Sequence, residues 1–165
     1  MQASVSEAIE GRLIEDGCEV SKEQFQGETV TFGYTSEFRW LSRVHVLVAV
    51  ANRQTVTEAD VRDFTIEVLR AADGMGLRRG LQSGVLVMPV LVASGIVGEI
   101  PAMMDRPYRL GIAGFAALAQ PAAVDADTGQ VFTYRGGRVM GYVYAKLIRD
   151  KVQTYLTDLA SPSLP

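Results

Sequence analysis

His45 is the only histidine of the chain and Cys18 its only cysteine, so any nucleophilic device that needs an imidazole has one place to be. A Ser-His-Asp or Cys-His arrangement uses that ring as general base. His45 lies in residues 43–51, RVHVLVAVA, where alternation sets it on the same face as Leu47. A lone imidazole in an apolar strand fits a hydrogen-bonded core residue better than a base. Cys18 stands close to Asp16 and Glu19 with no cation beside it in sequence. Acidic neighbours raise a thiol pKa and blunt its reactivity, so Cys18 reads as structural. One cysteine and one histidine cannot build a Cys/His zinc site or an intrachain disulfide.

Other motifs fail on spacing or context. Asp125-Ala126-Asp127-Thr128-Gly129 invites a calcium loop, but the EF-hand pattern wants glycine sixth and glutamate twelfth. Here the glycine comes one place early, at Gly129, and the twelfth place is Gly136, so the stretch reads as a hairpin turn. Gly74-Met75-Gly76 follows a helical pattern where a dinucleotide loop would follow a strand, and its third glycine is displaced to Gly80. None of Lys22, Lys146 and Lys151 directly follows a glycine, so there is no Walker lysine. A restriction-endonuclease-like metal site would need an acid on one strand and E-x-K on the next; residues 43–51 hold neither acid nor lysine. The element order still suits a catalytically dead relative of that fold. No metal or cofactor is expected.

What remains is carboxylates, arginines and aromatics without a motif. Glu37, Glu99, Asp105 and Asp125 fall outside obvious helix surfaces and could pair across a cleft. Arg39, Arg78, Arg79, Arg106, Arg109, Arg135 and Arg138 fall in loops. Among them Arg78, Arg79, Arg106, Arg109 and Arg138 form the candidate site for a small anion, with Arg138 near a helix start whose N–H groups favour one. The segment 34–40, YTSEFRW, is rich in aromatics. With the broad apolar stripe of the last helix it nominates Tyr34, Phe38, Trp40, Tyr144 and Tyr155 as interface residues.

These residues must be positioned by a chain of 165 residues, 48% hydrophobic and 21% charged, enough for one domain with a sizeable core. Residues 1–160 read as a single domain and 161–165 as a frayed tail. The net charge of −3 gives no global pull toward nucleic acid. It is unevenly spread: residues 1–37 hold eight acids and two bases, the rest eleven acids and fourteen bases. The N-terminal residues lack the basic and apolar regions of a signal peptide. The apolar run 84–98 contains Pro89 and is shorter than the about 20 residues a bilayer span needs, so it reads as buried strand. A lone thiol suits a reducing compartment, and the cytoplasm is the expected location.

The elements follow from periodicity. Ser4 to Asp16 reads as a helix with a Ser4/Glu7 capping box, a stripe of Val5, Ile9 and Leu13, and a glycine stop at Gly17. Residues 18–25, 28–35 and 43–51 read as a three-strand meander, the last nearly all apolar and so covered on both faces. Thr57 to Asp73 is a helix capped by Thr57 and Asp60, with Gly74 as its C-cap. Residues 84–94 form a strand that Pro89 should interrupt or bulge. A short helix over 96–104, a strand over 108–118, a hairpin over 122–134 and a long helix over 138–159 complete the order α-β-β-β-α-β-(α)-β-β-α. The fold class is α+β, one mixed, mainly antiparallel sheet of five to six strands with helices packed on it.

Arg106-Pro107-Tyr108-Arg109-Leu110-Gly111-Ile112-Ala113-Gly114-Phe115, with Val124-Asp125 and Gly129 to Arg135, resembles a haloarchaeal family of small domains of unknown function. The resemblance covers about sixty residues of the second half. Phe115 replaces an expected tryptophan and Arg135 an expected asparagine, and the resemblance implies no activity. The sequence therefore points to a non-catalytic binding or protein-interaction domain, expected to be a homodimer. The alternatives are an enzyme with a carboxylate/arginine cleft and a phosphate or nucleotide sensor built on Arg78, Arg79 and Arg138.

Overall fold

A computed structural model describes residues 2–39, 42–75, 83–98, 100, 118–134 and 145–159. Its elements are α1 (Gln2–Glu15), β1 (Glu19–Phe25), β2 (Glu28–Arg39), β3 (Ser42–Val56), α2 (Glu58–Gly74), β4 (Ser83–Ile96), β5 (Leu118–Ala119), β6 (Ala122–Asp125), β7 (Val131–Thr133) and α3 (Ala145–Leu156). The α+β class holds. The strands form one mixed sheet in the order β1-β2-β3-β4-β6-β7, with β5 also against β4. The short β5 brings the count among the described residues to seven, above the five to six expected. The β1–β2–β3 meander and the β6–β7 hairpin are antiparallel. β3 and β4 run parallel, joined through α2, the crossover that a strand-helix-strand order dictates.

Turn chemistry sets the register of the first strands. Gln26 and Gly27 both have positive φ, 53° and 83°, the geometry of the two-residue turn that matches strand twist. It leaves Phe25 opposite Glu28. α1 stops as expected at Gly17, whose φ is +85°. There the Cys18 N–H reaches the Leu13 carbonyl and the Gly17 N–H the Ile14 carbonyl, both at 3.0 Å, which satisfies the last carbonyls of the helix.

β3 and β4 are apolar almost throughout because they are covered twice. Val44, Val46, Val48 and Val50 face a core built with Val5, Ile9 and Leu13 of α1 and with Leu147, Ile148, Val152 and Tyr155 of α3. Leu47, Ala49 and Ala51 face a second core with Val61, Phe64, Val68 and Leu69 of α2. The meander therefore has a face toward α1 and α3 and a face toward α2. No helix among the described residues is long and apolar enough to cross a membrane.

Several boundaries differ from expectation. α1 already runs at Gln2, so Ser4 lies inside the helix and does not cap it. Thr57 and Asp60 do form the expected capping box, but α2 continues through Gly74 and its C-cap is Met75. Pro89 does not break β4: it registers with Ala49 in an unbroken run from 83 to 93. The Gln120 N–H bonds the Val87 carbonyl and the Ala126 N–H the Ala93 carbonyl, so β4 residues of that parity, Pro89 included, face β5 and β6. On that side β5 pairs with residues 86–87 and β6 with residues 90–93, and the missing proline N–H falls in the gap between them. The expected helix over 96–104 and strand over 108–118 lie largely outside the described residues; Ile96 ends β4 and Leu118 opens β5. The first part of the expected last helix, 138–144, also lies outside them.

Candidate functional site

The hairpin of β1 and β2 shapes a concavity on the α2 face. Glu19, Ser21 and Glu23 of β1 register with Tyr34, Phe32 and Val30 of β2, so all six point to that side. The last turn of α2 brings Ala71 and Met75 over the same surface. Between them lies a cavity of about 420 Å³ lined by Glu19, Val20, Ser21, Glu23, Phe25, Phe32, Tyr34, Leu47, Ala71 and Met75. That size suits a small ligand or one large side chain. Phe25 and Phe32 meet edge to face, ring centroids 5.8 Å apart. Leu47 is fully buried beneath, and Met75 is half exposed. Of the described lining residues two are acidic and none is basic. Among the described residues neither Glu19 nor Glu23 is ion-paired.

Tyr34 links the cavity to His45. Its hydroxyl oxygen lies 2.6 Å from His45 Nδ1, and the two rings stack with centroids 5.9 Å apart. Burial, and after it the charge of Arg43, holds the imidazole pKa below its usual 6.5. The histidine is therefore a hydrogen-bonded residue on the Leu47 face, as the alternation of β3 predicts. A proton titration of this single imidazole by NMR should give a midpoint below 6.5; a midpoint above it would contradict the packing. The sign for stability follows. A depressed folded-state pKa contributes stability that is full above the unfolded value and lost as pH falls through the folded one.

On the opposite face, α1, β2 and α3 converge on a polar cluster absent from the sequence expectations. Lys151 is buried on α3, its ammonium 2.6 Å from Asp16 Oδ2 and 2.6 Å from Glu37 Oε1. One turn on, the Tyr155 hydroxyl donates to the same Asp16 oxygen, and Cys18 Sγ lies 3.5 Å from that hydroxyl. Burial pushes the Lys151 pKa down, but hydrogen bonds to Asp16 and Glu37 outweigh it and leave it above the ordinary lysine value. Burial raises Asp16, and the bonds from Lys151 and Tyr155 more than reverse it. Burial above all raises the Cys18 thiol, with the Asp16 charge adding to it. The Tyr155 phenol is raised furthest, by burial and by its bond to Asp16. The lysine, the thiol and the phenol are thus each held protonated beside an ionised Asp16, and the cluster ties three elements together.

The other nominated residues scatter. Tyr34 lines the cavity. Phe38 is exposed, with the Arg43 guanidinium 4.7 Å from its ring centroid. Tyr155, nominated for an interface, is fully buried within the chain; its stripe on α3 packs against the sheet and α1, which corrects that expectation. Arg12 closes the same end, donating to the carbonyls of Tyr155, Thr157 and Asp158. Glu37 is committed to Lys151. Asp125 is committed to its turn, where Oδ1 accepts from the N–H groups of Asp127 and Thr128 at 2.8 and 3.2 Å. Arg78, Arg79, Arg106, Arg109, Arg135, Arg138, Trp40, Tyr144, Glu99 and Asp105 lie outside the described residues, and with them the anion site. Among the described residues no three His, Cys, Asp or Glu side chains lie together as metal ligands would. No family model, curated protein or solved structure matches the chain.

Proposed function

We propose that the chain is a binding domain whose cavity takes a positively charged group carried on an apolar frame: an organic amine, or the side chain of a protein partner. One observation carries the reading. Three aromatic rings, Phe25, Phe32 and Tyr34, and two carboxylates, Glu19 and Glu23, surround one concavity with no basic residue among its described lining. A cation gains from ring faces and from rim charge together. An organic acid of the same shape meets repulsion from the same two glutamates. The cytoplasm, where Cys18 stays reduced, is the proposed location.

Thermal unfolding with matched ligands tests this. Phenethylamine at about a hundredfold excess over its dissociation constant should stabilise the chain by about 2.7 kcal/mol, while phenylacetate should not. Two exposed charge contacts are worth about 0.2–1 kcal/mol each, so the double variant E19Q/E23Q should weaken amine binding by about tenfold. Equal stabilisation by amine and acid, or none by any amine, would defeat the reading.

A further inference from the structure

β1 lines the cavity, and its outer edge, unpaired among the described residues, can take a strand. Among the described residues β1 ends the sheet and pairs with β2 alone. In a two-residue hairpin the flanking pair, Phe25 and Glu28, exchanges both hydrogen bonds. Alternation from Phe25 then points the N–H and C=O groups of Glu23, Ser21 and Glu19 at β2. It leaves those of Val20, Lys22 and Gln24 pointing away from the sheet, the pattern an added strand pairs with.

Side chains decide what such a strand must carry. Lysine on an edge commonly guards it against pairing, but Lys22 is drawn to the α1 face, its ammonium 3.2 Å from Glu10. The cavity face of the edge presents Glu19, Ser21 and Glu23. On the free side these occupy the non-hydrogen-bonded positions, where facing side chains come closest. Glu19 and Glu23 are four residues apart, about 13 Å along the strand, with Ser21, which also lines the cavity, between them.

We infer that the partner is an extended basic peptide segment added to β1 as an eighth strand, with cationic side chains four positions apart over Glu19 and Glu23 and an apolar one between them entering the cavity. This rests on the cation-binding reading above and names the partner class for the same site.

Fluorescence anisotropy of the full chain with a short threonine-rich peptide tests it. The peptide carries two arginines four positions apart and a leucine midway. Moving one arginine by one position puts the pair on opposite faces and should cost about tenfold or more in affinity. Methylating the amides of the threonines that alternate with these three residues should cost at least as much, because those amides face β1. Methylating the arginine amides, which face away, should leave binding unchanged. The variant Gln24→Pro removes one outward N–H, which an edge strand tolerates; it should lose the peptide and keep phenethylamine. If phenethylamine binds but the peptide is indifferent to spacing and methylation, strand addition is wrong and the cavity reading stands. Loss of both ligands from the unmodified chain overturns both. A dimer in sedimentation equilibrium that Gln24→Pro dissociates and that no peptide displaces would overturn the choice of partner.

Discussion

Replacing Lys151 by methionine should destabilise the chain by about 3 kcal/mol, the lower end of the range for breaking a buried ion pair from one side. Methionine fills the space of the lysine stem, so packing changes little. What changes is charge. The side chain of Lys151 is 5% exposed, while those of Asp16 and Glu37 are 28% and 30% exposed, so both carboxylates lose the ammonium in a partly dry site. Water reaches them in part, which keeps the cost from the upper end of that range, about 5 kcal/mol. Urea unfolding measures it. The triple variant K151M/D16N/E37Q removes both carboxylate charges as well and should recover most of the loss. A triple variant no better than K151M would mean that lysine packing, not charge, is what the cluster supplies. The pH dependence has a definite sign. Asp16 is held below its usual 3.8 in the folded chain, so its contribution is full above that value and is lost as pH falls through the folded pKa. In K151M the carboxyl has lost the ammonium that holds it down, so that acid-side loss should shrink.

The lysine was legible and overlooked. On α3 it falls four residues after Leu147, three after Ile148 and four before Tyr155, inside the apolar stripe itself. A lysine inside an apolar stripe must be met by acids, and the acid-rich first 37 residues were the place to seek them. Which acids was not legible. Asp16 ends a helix, Glu37 is on a strand, and only the tertiary fold brings them to one ammonium. The double-covered β3, the capped α2 and the turns at 26–27 and 125–129 were readable because each depends on a local period or on one or two backbone angles. The cavity was not. Its walls come from β1, β2, β3 and α2, and β1 carries the weakest alternation of the strands. Its two carboxylates look, in sequence, like any solvated edge. Pro89 shows the same limit from the other side. Its cost depends on which neighbour its nitrogen faces, and that is fixed by the pairing of β5 and β6, far along the chain.

Truncating Leu47 to alanine should cost about 2–3 kcal/mol and change what the cavity accepts. Leu47 is fully buried and sits between Tyr34 of β2 and Val87 of β4 in register. Large-to-small changes in such positions lose transfer free energy and leave a void, together about 2–5 kcal/mol. The lower half applies because one side of Leu47 forms the cavity floor, so the new space joins a concavity already open to water. That same geometry predicts a gain elsewhere. The floor drops by several atoms beneath Phe32 and Tyr34 while Glu19 and Glu23 stay at the rim. A naphthyl amine should therefore improve against phenethylamine by about tenfold in L47A, since one ring's worth of added apolar burial supplies at least that much. Urea unfolding gives the first quantity and amine titration the second. A variant that loses stability without shifting the preference toward the larger cation would show that ligands enter above the rings and never reach the sheet.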